Sequence, residues 1–248
     1  MFGRKKKQAQ VEEAENTPQE DLAQADAEQT DAESGRRAAG GVDGKSERKD
    51  GPWDASEVEE DDSLIDLGSL KIKPVAGMNL NLEVEQGSQA IVAVALELDG
   101  SRVQIQAFSA SKSEALWPGI SAQIDESVTS QGGRTDRRDG RFGDELLARV
   151  PATGPDGSQG VMIARFVGID GPRWFLRAVF AGQAAINEEA AKALEDLLAA
   201  VVVDRGSVPM PPTELLPLHV PEQAAAAPEQ GSDGEGRPER GPEMTETR

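Results

Sequence analysis

The chain has 248 residues, of which 37% are hydrophobic and only 4% aromatic, and its formal net charge is −19. It has no cysteine, which excludes disulfides, thiolate chemistry and cysteine-ligated zinc or iron–sulfur sites. No run of 18 apolar residues occurs, so no stable membrane insertion by a helix is expected, and the acidic balance argues against the folded body wrapping nucleic acid.

The charge is unevenly spread: about −9 lies on residues 1–63, about −6 on 64–220 and about −4 on 221–248. Blocks of low hydrophobicity and high charge do not recover the entropy lost on ordering. The expected organisation is therefore a disordered acidic tail over 1–63 with a basic start, one α+β domain over 64–220, and a disordered tail over 221–248. Arg4, Lys5, Lys6 and Lys7 form the basic start, with no apolar stretch behind them, so no secretory signal is read and a cytoplasmic setting is expected. Residues 8–33 are rich in Ala, Glu and Gln with little to bury, and 34–51 read as a Gly- and charge-rich linker. Trp53 stands alone in this acidic stretch. It serves either to pack back against its own domain or to anchor a partner.

Leu64, Ile65, Leu67, Leu70 and Ile72 open the apolar region. Residues 79–85 alternate, with Leu80, Leu82 and Val84 against Asn79, Asn81, Glu83 and Glu85, which is the pattern of a half-exposed strand. Residues 90–98 are apolar on both faces, Asp99-Gly100 supplies a hairpin turn, and Val103, Ile105 and Ala107 mark a returning strand. Leu116, Ile120, Ile124 and Val128 then recur at spacing four, and Pro118 places the start of the regular helix near Trp117. Gly132-Gly133 ends it, a polar connection runs through Arg134–Arg138, Asp139-Gly140 turns the chain, and a short strand returns over 145–150.

The stretch from Val161 to Val203 holds the densest apolar content. Residues 161–169 are apolar on both faces apart from Arg165, and Asp170-Gly171 reads as a two-residue turn, with Pro172 at the first position of the next strand. Trp174, Leu176, Ala178 and Phe180 face one way, with Arg173 and Arg177 among the residues facing the other. Asn187 is a good N-cap, Glu188 and Glu189 complement the helix dipole, and Ala191, Leu194, Leu197, Leu198 and Val201 form one stripe. Strand, Asp-Gly, strand, helix thus occurs twice, 71 residues apart. The fold class is α+β: an antiparallel β-sheet built from two strand-turn-strand-helix units and flanked by two main helices. Residues 201–203 either extend the helix or form a last strand, 208–212 are extended, and 214–220 lie along the domain edge.

Gly51-Pro52-Trp53-Asp54, Leu67-Gly68-Ser69-Leu70, Leu116-Trp117, Gln131-Gly132-Gly133, Arg165-Phe166-Val167-Gly168, Asp170 through Arg177, Pro209 through Pro212 and Leu215-Leu216-Pro217-Leu218 carry a resemblance. With these segments in this order, the chain resembles an actinobacterial family of unknown function, the one catalogued as domain of unknown function 3710, from about Gly51 to Pro221. The resemblance implies an actinobacterial, soluble, intracellular protein, and it brings no activity or catalytic residue with it.

No catalytic constellation stands out. His219 is the only histidine and reads as a surface residue, without the elbow or glycine-rich approach of a nucleophile–histidine–acid triad. The acidic pairs Asp61-Asp62, Asp144-Glu145 and Glu195-Asp196 read as solvated positions in an acidic protein, with no metal or other cofactor expected. Two basic groupings remain. Arg134, Arg137, Arg138 and Arg141 either grip an anion or are neutralised by Asp136, Asp139 and Asp144 or by the acidic tails folding over them. Arg165, Arg173 and Arg177 lie on adjoining strands beside Phe175 and make either a basic binding patch or a solvated sheet edge. The expected function is a non-catalytic protein-interaction or scaffold module, binding a protein partner or itself through Trp53, Arg165, Arg173, Phe175 and Arg177. The alternative is a regulator contacting phosphate or nucleic acid through Arg134–Arg141 and the basic start.

Overall fold

A computed structural model describes residues 50–154 and 157–221. The expectations for residues 1–49 and 222–248, including the basic start, lie outside the described residues.

Seven strands form the main antiparallel sheet: β4 (Asn79–Val84), β5 (Ile91–Leu98), β6 (Ser101–Ser109), β7 (Arg134–Gly140), β8 (Gly143–Thr153), β9 (Gln159–Asp170) and β10 (Trp174–Gly182). Their order is β4-β5-β6-β10-β9-β8-β7. Four short strands, β1 (Trp53–Asp54), β2 (Ile65–Asp66), β3 (Leu70–Ile72) and β11 (Val202–Val203), form a second sheet in the order β1-β11-β3-β2. Among the described residues two α-helices, α1 (Trp117–Ser130) and α2 (Glu188–Ala199), complete the α+β architecture.

The two hairpins meet at the centre of the sheet, where β6 pairs with β10 and Gln106 lies opposite Arg177. Those residues are the same 71 positions apart as the two units, so the seam relates one hairpin to the other. The helices break this symmetry. A two-fold axis normal to a sheet leaves each face where it was, so a full duplication would put both helices on one side. Instead α2 covers the face bearing Val103, Ile105, Trp174, Leu176, Ala178 and Phe180, while α1 covers Leu146, Ala148, Phe166, Phe175 and Val179 on the other. Strands covered from both sides must be apolar on both sides, which is how β9 and β10 read. Each large side chain buried this way contributes roughly 1.5–3 kcal/mol before entropy is charged.

Local chemistry explains the joints. Asp99 (φ 49°) and Gly100 (φ 74°) are both left-handed, as a two-residue hairpin requires. The second turn is longer than expected. Asp170 pairs with Phe175, and the chain reverses over Gly171 to Trp174, closed by a 2.8 Å bond from the Gly171 amide to the Trp174 carbonyl. Arg173 takes the left-handed position (φ 68°), and Pro172 sits in the turn, ahead of the strand, where its missing N–H costs no ladder bond. Asn187 caps α2 by accepting from the amides of Glu189 and Ala190. Three further readings are corrected. The stretch 134–140 is a full strand, because it lies at the edge of the sheet, where charged side chains need no covered face. The β4 ladder shifts register between Glu83 and Val84, so Val84 pairs with Ile91 and is 46% exposed. The paired region also begins ahead of residue 64, since Trp53 and Asp54 lie alongside Val202 and Val203.

Candidate functional site

Three polar groupings are built into this frame, and they sort the predicted site residues differently from the sequence.

The first lies between α2 and the main sheet. Alternation puts Arg165 opposite Phe180, on the face that α2 covers, whereas Arg177 lies opposite Gly168 on the other face. The expected shared patch of Arg165, Arg173 and Arg177 therefore does not form. Arg165 is 2% exposed, with its guanidinium 4.1 Å from the Phe180 ring centroid. Its Nη1 donates to Glu145 Oε2 at 3.2 Å and to Glu195 Oε1 at 2.7 Å, and Arg138 Nε approaches Glu145 Oε2 at 3.3 Å. Glu145 is fully buried. Two carboxylates expected in solvent thus join two arginines in one network that pins α2 to strands β8 and β9. Their distance in sequence, 50 residues between Glu145 and Glu195, hid the meeting.

The second grouping joins the start of the domain to its core. Trp53 is half-buried, its amide donating to the Val201 carbonyl at 2.9 Å, so it packs back on its own domain. Asp54 caps a short 3-10 turn over Ala55–Glu57 and accepts from Trp174 Nε1 at 2.9 Å. On the other face of the sheet, Asp170 accepts from the amides of Leu116 (2.8 Å) and Trp117 (3.4 Å) at the start of α1. No side chain of α1's own N-terminal flank makes a cap, so a residue more than fifty positions away supplies the acceptor. Burial pushes the Asp170 carboxyl above its usual value, and the two amide bonds oppose this. Trp117 lies so close over Gly168 that a Cβ there would fall inside its ring, and Phe175 stacks near it at 6.4 Å. Phe175, predicted to sit on a binding face, is fully buried.

The third grouping occupies the half of the α1 face beyond α1. The apolar cluster under α1 takes no residue from β4 or β5. In its place Glu83 on β4 accepts from Arg102 Nη2 and Gln104 Nε2 on β6. Gln106 donates to the Val92 carbonyl and accepts from Arg177 Nε (3.1 Å) and Nη2 (2.5 Å). Arg177 also lies 5.7 Å from the Phe108 ring centroid. Ala93 and Ala95 lie fully buried under these long side chains, while Asn79 and Asn81 at the rim are exposed. Among the described residues, Arg102 Nε and Gln104 Oε1 are buried without a hydrogen-bond partner, as are Glu145 Oε1 and Arg165 Nε and Nη2 in the first grouping and Arg205 Nε elsewhere. The sequence signal was available: Arg102, Gln104 and Gln106 alternate with Val103, Ile105 and Ala107.

The remaining arginines are tied down or apart. Arg173 is exposed in its turn, away from Arg165 and Arg177. Arg137 pairs with Asp144 at 2.6 Å, and Arg141 with Asp196 at 2.6 Å and Asp50 at 3.3 Å, while Arg134 is exposed. Asp139, offered as a neutralising partner, faces Asp144 across the β7–β8 ladder. His219 Nε2 lies 4.0 Å from Asp66 and half-exposed. Among the described residues no group of three or more His, Cys, Asp or Glu side chains is placed to hold a metal ion, and no helix is long and apolar enough to cross a membrane.

No curated protein matches this chain. A crystal structure from Bacteroides thetaiotaomicron is similar at 11% identity and a TM-score of 0.33, over 58% of this chain and 48% of that one. The chain therefore spans about half the length of that protein, and a likeness at this level bears on neither fold nor role. Residues 51–227, well over half of the chain and including the Trp53 strand, match the family described as protein of unknown function (DUF3710), and the chain belongs to that family.

Proposed function

We propose that this chain is a non-catalytic protein-interaction module whose contact surface is the polar half of the α1 face. One observation carries the reading: Arg102, Gln104, Gln106 and Arg177 occupy positions where the rest of that face carries apolar residues under a helix. A buried sheet face is cheapest when apolar, so amide and charged side chains there are a cost that a polar partner offsets. The partner that fits is a protein surface offering a carboxylate to Arg102, whose side chain remains 38% exposed. Absence of cysteine suits a reducing, cytoplasmic setting for this encounter.

The test is affinity purification from native lysate with the wild-type chain and with an Arg102→Ala, Gln104→Ala double variant of matched urea midpoint. A defined protein retained by the first and lost from the second supports the reading. An identical set of retained proteins refutes it. The phosphate or nucleic-acid alternative has less to stand on, because Arg137, Arg138 and Arg141 each face a carboxylate. Salt-sensitive retention on a polyanion column would restore it, and passage straight through at low salt dismisses it.

A further inference from the structure

The two edges of the main sheet are unlike each other. Edge strands expose unpaired N–H and C=O groups, and charge on an edge is the common protection against pairing with another strand. At one edge β7 carries Arg134, Asp136, Arg137, Arg138 and Asp139, five charges in seven residues. At the other, β4 carries one charge in six, as Asn79, Leu80, Asn81, Leu82, Glu83 and Val84. β4 pairs with β5 only, and among the described residues no other backbone bond reaches its outer side between Asn79 and Val84. Leu80 and Leu82 pack on the core under α2, yet each is only partly buried.

We propose that β4 pairs antiparallel with β4 of a second copy of this chain, joining two seven-stranded sheets into one. The sequence of the strand selects both the partner and the register. Its regular part, before the shift at Glu83/Val84, is Asn79–Glu83, with Asn81 at the midpoint. Self-pairing about Asn81 sets Asn81 against Asn81, Leu80 against Leu82 and Asn79 against Glu83. No like charges meet, and the half-buried leucines of both copies cover one another. The same register carries Glu85 of one copy, which is exposed, to the level of Gly77 and towards the exposed Lys73 of the other.

A five-residue seam alone falls short of the roughly 1,000 Å² of total buried area expected of a specific interface. The surface next to it supplies more. Val75, Ala76 and Gly77, just ahead of β4, line an apolar cleft of about 510 Å³ with Leu98, Leu197 and Ala200. In this register the β4–β5 turn of the second copy, residues 85–90, lies beside its mouth. The α1 faces of both copies also become continuous, with Asn79 and Asn81 at the join. The inference does not rest on the polar face binding a partner, since it concerns the purified chain alone.

The chain contains no cysteine, which makes a single-cysteine probe clean. Directly opposed residues on antiparallel strands lie about 4.5–5.5 Å apart at Cα, within disulfide reach. Full-length Asn81→Cys should therefore form a disulfide-linked dimer under mild oxidation, while Asp139→Cys on β7 stays monomeric. In analytical ultracentrifugation the wild-type chain should rise towards twice its monomer mass with concentration. Asn81→Lys and Asn81→Asp, each placing like charges across the axis at an exposed site, should stay monomeric, with urea midpoints equal to the wild type's at concentrations low enough for it to be monomeric. An equimolar mixture of those two should recover the doubled mass. The inference is overturned if the wild type stays monomeric throughout, if either charged variant still dimerises, if the mixture does not recover, or if the two cysteine variants cross-link alike.

Discussion

Replacing Arg165 by Met should be among the most damaging changes available in this protein. The side chain is 2% exposed and holds two carboxylates, and methionine keeps much of its length against Phe180 while removing the charge. What remains is Glu145, fully buried, with only Arg138 Nε at 3.3 Å to answer it. Removing one partner of a buried pair costs about 3–5 kcal/mol, because the other charge stays desolvated. Taking a loss of about 4 kcal/mol and a urea m-value of about 2 kcal/mol/M, the unfolding midpoint should fall by roughly 2 M. Arg141→Met is the control. It also breaks two ion pairs, with Asp50 and Asp196, but at a solvated site where the loss should stay below about 1 kcal/mol. Adding Glu145→Gln to Arg165→Met should return a large part of the lost stability, since no buried anion then lacks its cation. The assay is equilibrium urea unfolding followed by tryptophan fluorescence. A midpoint shift under about 0.5 M for Arg165→Met, or one equal to that of Arg141→Met, would refute the reasoning.

Gly168→Ala should cost roughly 1–3 kcal/mol by forcing a Cβ into the Trp117 ring, lowering the thermal midpoint by several degrees; an unchanged midpoint would mean that the ring does not pack as described. Asp170 titrates above its usual value, so its ionisation opposes folding: the cost is present at neutral pH and fades as pH falls through the raised pKa towards the unfolded value near 3.9. Stability relative to Asp170→Asn should therefore shift in favour of the wild type between pH 7 and pH 4, and urea midpoints at several pH values that run level or the other way count against it. Asp170→Ala, which leaves the first amides of α1 without their acceptor, should cost about 1–2 kcal/mol at pH 4, where the ionisation penalty has faded, and less at pH 7. Deleting residues 1–49 keeps every contact described and should leave the unfolding free energy within about 0.5 kcal/mol of the full chain's. Deleting 1–58 removes the Trp53 pairing and the Asp54–Trp174 bond and should cost at least about 2 kcal/mol.

Both hairpins, both helices and the N-cap at Asn187 were readable because each rests on contacts within about twenty residues. Asp99-Gly100 announces its own turn, and the period of Leu194, Leu197 and Leu198 announces its own stripe. The candidate site was far less readable. Arg165, Arg173, Phe175 and Arg177 looked alike as polar or aromatic members of adjoining strands. Only the register assigns Arg165 to the α2 face, Phe175 and Arg177 to the α1 face and Arg173 to the turn. Asp170 looked like turn chemistry alone, and nothing near it pointed to the unguarded amides of Leu116 and Trp117.

From its residue pattern this chain determined that an α+β body would form from two hairpin-and-helix units, since period-two and period-3.6 burial is a local property of the backbone. Tertiary structure alone decided that the helices lie on opposite faces, that Trp53 belongs to the domain and that Arg165 is buried between two carboxylates. Which face a helix covers, and which distant charges meet beneath it, depend on how whole elements stack, and no stretch of sequence carries that by itself.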